Sequence, residues 1–236
     1  MGTRLAGAAG ARTVQILDPR IATRHWDVVV APTHNHLSGD NVVSMLGSLN
    51  EVDDAWLRQA RERWRELLAL PGPRTAVLIG GPTAATPFDD EDLAKLCEKL
   101  EGTLARDGGR LLVCGSRRTP KAWADALRAR FDATRHALWF DESDGDNLYD
   151  GALACAQRIV VTPDSVNMVS EACATALPVF VAEPGRAHGR IAEFLRELVA
   201  RGRVRAQRAA LEEFDCEPLR EGARVAARVR QHLNLR

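Results

Sequence analysis

Ser116-Arg117-Arg118-Thr119-Pro120 sets two guanidinium forks and two hydroxyls beside a proline, directly after the apolar run Arg110 to Cys114 and directly before a helical pattern. Arginine forks match the paired oxygens of a phosphate. Proline suits the first position of a helix, so Thr119 is expected to cap a helix that starts at Pro120. The groups then stand at the carboxyl end of a strand, where open α/β sheets take up phosphorylated ligands. Ile159-Val160-Val161-Thr162-Pro163-Asp164-Ser165 repeats the design and leads into a helical pattern carrying Asn167, Ser170 and Glu171. Asp164 or Ser165 caps that helix, and Ser165, Asn167 and Ser170 can donate to phosphate or sugar oxygens. An Asp164 carboxylate beside a diphosphate is repulsive unless it only caps. A third apolar run ends at Ile79-Gly80-Gly81-Pro82, where glycine lets a backbone approach phosphate or sugar closely. The plainer alternatives are a strand-ending turn, solvated arginines and an ordinary N-cap followed by a solvent-facing glutamate. Taken together, the junctions suggest a nucleotide-sugar site.

Chemistry other than binding has one candidate. His34 follows the strand-like run Asp27 to Ala31, with Ser38, Gly39 and Asn41 just beyond it, and is the histidine placed to act as a general base. An exposed loop histidine is the alternative. Neither GxGxxG nor GxxxxGK[ST] occurs, so the standard dinucleotide and P-loop readings lack support. Asp141-Glu142-Ser143-Asp144-Gly145-Asp146-Asn147 carries four carboxylates, but no glutamate follows at the twelfth position of an EF-hand loop, and a solvated acidic loop is expected. Five cysteines form no CxxC pair, and the six histidines are scattered, so no metal and no cofactor are expected.

Ala31-Pro32-Thr33-His34, Gly80-Gly81, Ser116 to Pro120 and Thr162 to Ala172 together resemble the elongated-mitochondria-type fission protein family and its bacterial members, from about residue 26 to the end. That family in turn resembles glycosyltransferases of the B fold, with two Rossmann-like domains and a donor nucleotide sugar held mainly by the second. The resemblance implies that Glu171 holds ribose hydroxyls and that Asn147 and Tyr149 line a base pocket. It leaves activity open between a nucleotide-sugar-dependent glycosyltransferase, a non-catalytic fission or scaffold-type interaction protein that keeps the fold, and a nucleotide-sugar epimerase.

Composition removes other classes. Thirty-two basic and 32 acidic residues cancel, which is unlike a general nucleic-acid binder. Three of the basic residues are lysines and the rest arginines, a bias typical of GC-rich bacterial coding. Met1 to Ala6 carries no long apolar stretch, Ala6 breaks the myristoylation pattern, and Arg4 and Arg12 give only a faint organelle-targeting look. No run approaches the ~20 apolar residues of a membrane span, so a cytoplasmic protein is expected.

The elements that must position these groups alternate. Strands are expected at Thr13 to Leu17 and Asp27 to Ala31, then a helix from Asp53 to Leu70 stopped by Pro71-Gly72-Pro73. Beyond the stop, strands at 75–79, 110–114, 137–140, 158–161 and 178–182 alternate with helices at 89–105, 120–131, 148–156, 166–175 and 189–201. Short apolar runs with helical connections imply an α/β fold with a Rossmann-like parallel sheet. Pro218 to Leu235 reads as a terminal helix. The expected division is a partial first Rossmann-like, acceptor-side domain with linker helix over 1–71 and a nucleotide-sugar-binding domain over 72–236. The 70 residues before Pro71 fall short of the roughly 100 or more of such a domain, so an amino-terminal truncation is expected, with self-association through the incomplete domain.

Overall fold

Runs such as Thr75 to Ile79 and Arg110 to Cys114 offer no polar face, so strands made from them need cover on both sides. The computed structural model, which describes residues 11–235, supplies that cover. The chain divides into a larger unit, Glu51–Leu219, and a smaller one made of the residues up to Asn50 and from Arg220 onward. The readings of Met1 to Ala6 fall outside the described residues.

In the larger unit, helices α1 (Asp54–Arg63) and α2 (Arg65–Ala69) are followed by β4 (Arg74–Ile79), α3 (Asp90–Asp107), β5 (Arg110–Gly115), α4 (Lys121–Arg130), β6 (Ala137–Trp139), α5 (Tyr149–Cys155), β7 (Arg158–Val161), α6 (Val166–Ala174), β8 (Val179–Val181), α7 (Gly189–Ala200) and β9 (Val204–Ala206). The strands form one parallel sheet in the order β6-β5-β4-β7-β8-β9, with Leu78 paired to Cys114 on one side and Val161 on the other. One core joins Val77, Ile79, Leu111, Val113 and Val160 of the sheet to Leu96 and Leu100 of α3 and Leu127 of α4. Each fully buried aliphatic side chain of this kind stabilises the fold by about 1.5–3 kcal/mol. Helix α3 starts at a reciprocal cap, Asp89 accepting from the Asp92 amide and Asp92 from the Asp89 amide.

The single helix expected over Asp53 to Leu70 is broken at Trp64, whose φ of −109° and ψ of 45° leave the helical region. Trp64 is turned to α5: its indole donates to Asp150 at 2.8 Å, and a Cβ on Gly151 would come within 2.6 Å of the ring. Arg61 also donates to the Ala154 carbonyl at 2.8 Å. This helix pair packs within the larger unit, and the first strands belong to the smaller one. Strand β9 is an element the sequence pattern did not announce.

The smaller unit contains β1 (Val14–Ile16), β2 (Val28–Pro32) and β3 (Val42–Met45) in a parallel sheet of that order, and α8 (Gly222–Leu233). The terminal helix thus begins four residues later than expected. Val225 and Leu233 of α8 pack on Val28, Val30, Val43 and Met45. The register pairs Val14 with Val28 and Ile16 with Val30, which places Val14 and Ile16 on that same apolar face. Both are nonetheless exposed, at 42% and 52%.

Candidate functional site at the sheet's carboxyl edge

The strand order of the larger sheet reverses between β4 and β7. Counted from β4, it runs 3-2-1-4-5-6, the doubly wound order whose connections leave the two central strands in opposite directions and open a crevice beyond their carboxyl ends. Gly80 and Gly81 follow β4, and Thr162, Asp164 and Ser165 follow β7. The neighbouring β5 delivers Ser116 to Thr119. Topology alone therefore brings the three sequence junctions to one place.

Hydrogen bonds stitch them together. The Gly80 amide donates to Thr162 Oγ1 at 2.8 Å, and that hydroxyl donates to Asp164 Oδ1 at 2.6 Å. Asp164 Oδ2 accepts from the Gly81 amide at 3.1 Å and from Arg118 Nη2 at 2.6 Å. Thr119 Oγ1 accepts from the Ser116 amide at 2.8 Å and shares its proton between the carbonyls of Ile79 and Gly80, at 2.8 and 2.9 Å. Ser116 Oγ accepts from the Arg118 amide at 3.2 Å.

Several expectations need correcting. Thr119 does not cap a helix: its hydroxyl ties the β5 loop to the end of β4, and α4 begins at Lys121 with Pro120 at the cap position. The glycines are required by the protein itself. A Cβ on Gly80 would lie 2.0 Å from the Asp164 carboxylate, and one on Gly81 would lie 2.0 Å from the Arg118 carbonyl. Their amides also point to protein acceptors rather than to an open mouth. The cap of α6 is Ser165, whose hydroxyl accepts from the Met168 amide at 3.3 Å, whereas Asp164 faces inward with its side chain 1% exposed. Asp164 is the residue that sequence reasoning undervalued; besides Thr162, its partners Arg118 and Gly81 lie 46 and 83 residues away, and no local signal announces them.

The outward groups are fewer. Arg117 is exposed and has no hydrogen-bond or ion-pair partner among the described residues, and Arg118 is half exposed with one Nη engaged by Asp164. Asn167 is exposed on the first turn of α6, but Ser170 is buried and donates back to the Val166 carbonyl at 2.7 Å.

Glu171 and Tyr149 do meet, by contacting each other: the phenol donates to Glu171 Oε2. Burial raises the Glu171 carboxyl above the ordinary glutamate value, against the lowering effect of the Tyr149 hydrogen bond. Burial first, and then the Glu171 charge, push Tyr149 far up, so it remains a phenol. Asn147 is exposed and accepts from the Tyr149 amide at 3.0 Å, fixing the start of α5.

His34 belongs to the smaller unit, in a short turn of 3-10 helix after β2, and is 8% exposed rather than open to solvent. In the acidic loop, hydrogen bonds from the hydroxyl and amide of Ser143, then from Arg128, lower Asp141 to about 2. Asp144 accepts from Arg128 at 2.6 Å and from the Phe140 amide at 2.8 Å. These carboxylates hold a turn and a cation of the protein. No group of three or more histidines, cysteines or acids suited to a metal is found among the described residues.

Fold and site together define an α/β protein with parallel sheets, whose larger, doubly wound sheet presents arginines at its switch point. The chain belongs to the family described as Mitochondrial fission ELM1, whose model matches residues 1–233. It is 30% identical to the mitochondrial fission protein ELM1 of Arabidopsis thaliana, over 94% of this chain and 58% of that protein. It is 29% identical to the uncharacterized protein RP120 of Rickettsia prowazekii, over 91% of this chain and 71% of that one. The chain thus spans somewhat over half the length of the Arabidopsis relative. Among solved structures it is similar to Acinetobacter baumannii MurG, with a TM-score of 0.44, 15% identity and coverage of 98% of this chain and 66% of the other. It is also similar to Medicago truncatula UGT71G1 complexed with UDP-glucose, with a TM-score of 0.42, 12% identity and coverage of 89% and 46%. Among the described residues no helix is long and apolar enough to cross a membrane.

Proposed function

We propose that the larger unit binds a nucleoside-diphosphate sugar at its carboxyl edge, as a glycosyltransferase-like protein acting in the cytoplasm. The observation that carries this reading is the switch point itself, with Arg117 exposed and Arg118 half exposed beside the capped start of α6. Two guanidinium groups and a helix N-terminus suit a diphosphate, and would stabilise it as a leaving group. Glu171, with Oε2 held by Tyr149, is assigned to ribose hydroxyls, and Asn147 to the rim of the base pocket. Gly80, Gly81, Ser116, Thr119 and Ser165 shape the loops that hold these groups. In this reading the smaller unit is the acceptor side and His34 its candidate base.

The same geometry favours one rival reading, a non-catalytic interaction protein that keeps the fold. His34 is buried, and the polar groups of Gly80, Gly81, Thr119 and Thr162 are satisfied within the protein. Self-association would then run through the smaller unit, where β1 exposes Val14 and Ile16. A thermal-shift panel of nucleoside diphosphates and their sugars tests the first reading, since a ligand that binds only the native state at 100 times its Kd adds about 2.7 kcal/mol of stability. A flat panel would leave the interaction reading in its place.

A further inference from the structure

Asp164 presents an apparent contradiction to that reading, for it puts a carboxylate beside the arginines meant to receive an anion. The structure resolves it. The carboxylate is buried on its own account, 1% exposed, and both of its oxygens are engaged: Oδ1 by the Thr162 hydroxyl, Oδ2 by the Gly81 amide and by Arg118 Nη2. Arg118 is 50% exposed, with its Nε and Nη1 donors lacking a partner among the described residues. One end of the guanidinium is therefore pinned from below while its remaining donors face outward. A fork held in this way loses less rotamer freedom on meeting a phosphate than a loose side chain does. The pin is also the point on which the loops after β4, β5 and β7 converge, since it joins Gly81, Arg118 and Thr162 through one group.

We propose that Asp164 is a positioning residue, whose buried carboxylate fixes the Arg118 guanidinium and the Gly80–Gly81 turn so that Arg117 and the outward donors of Arg118 meet a phosphate at the mouth of the crevice. This rests on the phosphate reading of the edge for its ligand, but the pinning itself does not. The missing Cβ of Gly80 belongs to the same device: an alanine there would place a methyl 2.0 Å from one carboxylate oxygen and 2.1 Å from the other, and would expel Asp164 from its seat.

The inference is distinguished from simple repulsion by the sign of one effect. If Asp164 acted on a bound anion only through its charge, Asp164→Asn would tighten inorganic pyrophosphate. Positioning requires the opposite, a weakening of about tenfold, the size of one charge-assisted contact. Calorimetry with pyrophosphate on the full chain reads this arm. A second arm needs no ligand. Modification by phenylglyoxal, followed site by site by mass spectrometry, is expected to be fast at Arg117 and slow at Arg118 in the wild-type protein, and equally fast at both in Asp164→Asn. Should Asp164→Asn fail to fold, Gly80→Ala is the substitute, and it is expected to release Arg118 in the same way. Tighter or unchanged pyrophosphate binding in the variant overturns the inference, as does equal labelling of the two arginines in the wild type. If the wild-type protein binds neither pyrophosphate nor UDP, the proposed function falls, while the labelling still decides whether Asp164 pins Arg118.

Discussion

Strands β1 and β7 each pair in parallel within their own sheets and have nearly the same length, yet only one is buried. Every residue of β7 is buried, with β4 and β8 on its two edges, whereas β1 is an edge strand whose Val14 and Ile16 remain exposed beside the patch that α8 covers. The larger unit is thus a sheet enclosed by helices, and its stability resides in packing. Among the described residues, the smaller unit rests on one α-helix and on polar ties such as the Glu221 carboxylate, which accepts from the Leu46 amide at 3.4 Å. The contrast teaches that the loops at the larger sheet's edge stand on a rigid base, the condition for holding charged groups in place.

Substitutions should expose that contrast, beginning with the deepest. Phe194 of α7 is 0% exposed. Phe194→Ala is expected to remove about 3–5 kcal/mol in denaturant unfolding, through lost transfer energy and a cavity. Arg203 comes next. It is 4% exposed and donates to the carbonyls of Cys173 at 3.0 Å, Leu177 at 3.1 Å and Thr175 at 2.7 Å, closing the carboxyl end of α6. Arg203→Ala leaves these carbonyls without that partner and should cost about 2–4 kcal/mol by the same measurement. Ser165→Ala removes the N-cap of the same helix and should cost about 1 kcal/mol. At the other pole, Ile16→Thr on the exposed edge should change stability by less than about 0.5 kcal/mol, and a larger loss would show that β1 is covered in solution.

The pH dependence sharpens the comparison further. Burial lifts the Glu171 carboxyl above 4.5, so the native chain keeps that proton to higher pH than the unfolded chain. Its contribution is therefore full below about pH 4.5 and is lost as pH rises through the raised native value. Glu171→Gln should accordingly match the wild type in melting temperature near pH 4 and exceed it near pH 7, with a gap that widens between them. A gap that narrows as pH rises would mean that Glu171 is stabilised as a carboxylate and that its burial is relieved by another group.

Much of this architecture is legible in the chain because a strand buried on both faces must be an unbroken apolar run, as Leu111 to Cys114 and Ile159 to Val161 are. Strand β9 escapes that signal: Val204-Arg205-Ala206 is short and lies at an edge, and its arginine stacks on the Phe214 ring at 4.2 Å instead of signalling a loop. The break at Trp64 is equally silent, since its cause is a partner 86 residues away. For the site, local sequence shows which junctions carry arginine, glycine and a cap. It does not show that the glycines make room for Asp164 and for the Arg118 carbonyl, or that Tyr149 is bound to Glu171, because each of these pairings is made by the sheet order rather than by spacing.

The most direct measurement of the central claim is an isothermal titration of UDP into the wild-type protein and into the Arg117→Ala, Arg118→Ala double variant. Each charge-assisted contact to a diphosphate is worth about 1.5–3 kcal/mol, so the double variant should bind at least about tenfold more weakly while remaining folded at the temperature of the titration. Equal affinity in the two proteins, with the fold intact, would contradict the assignment of a phosphate site to the carboxyl edge of the larger sheet.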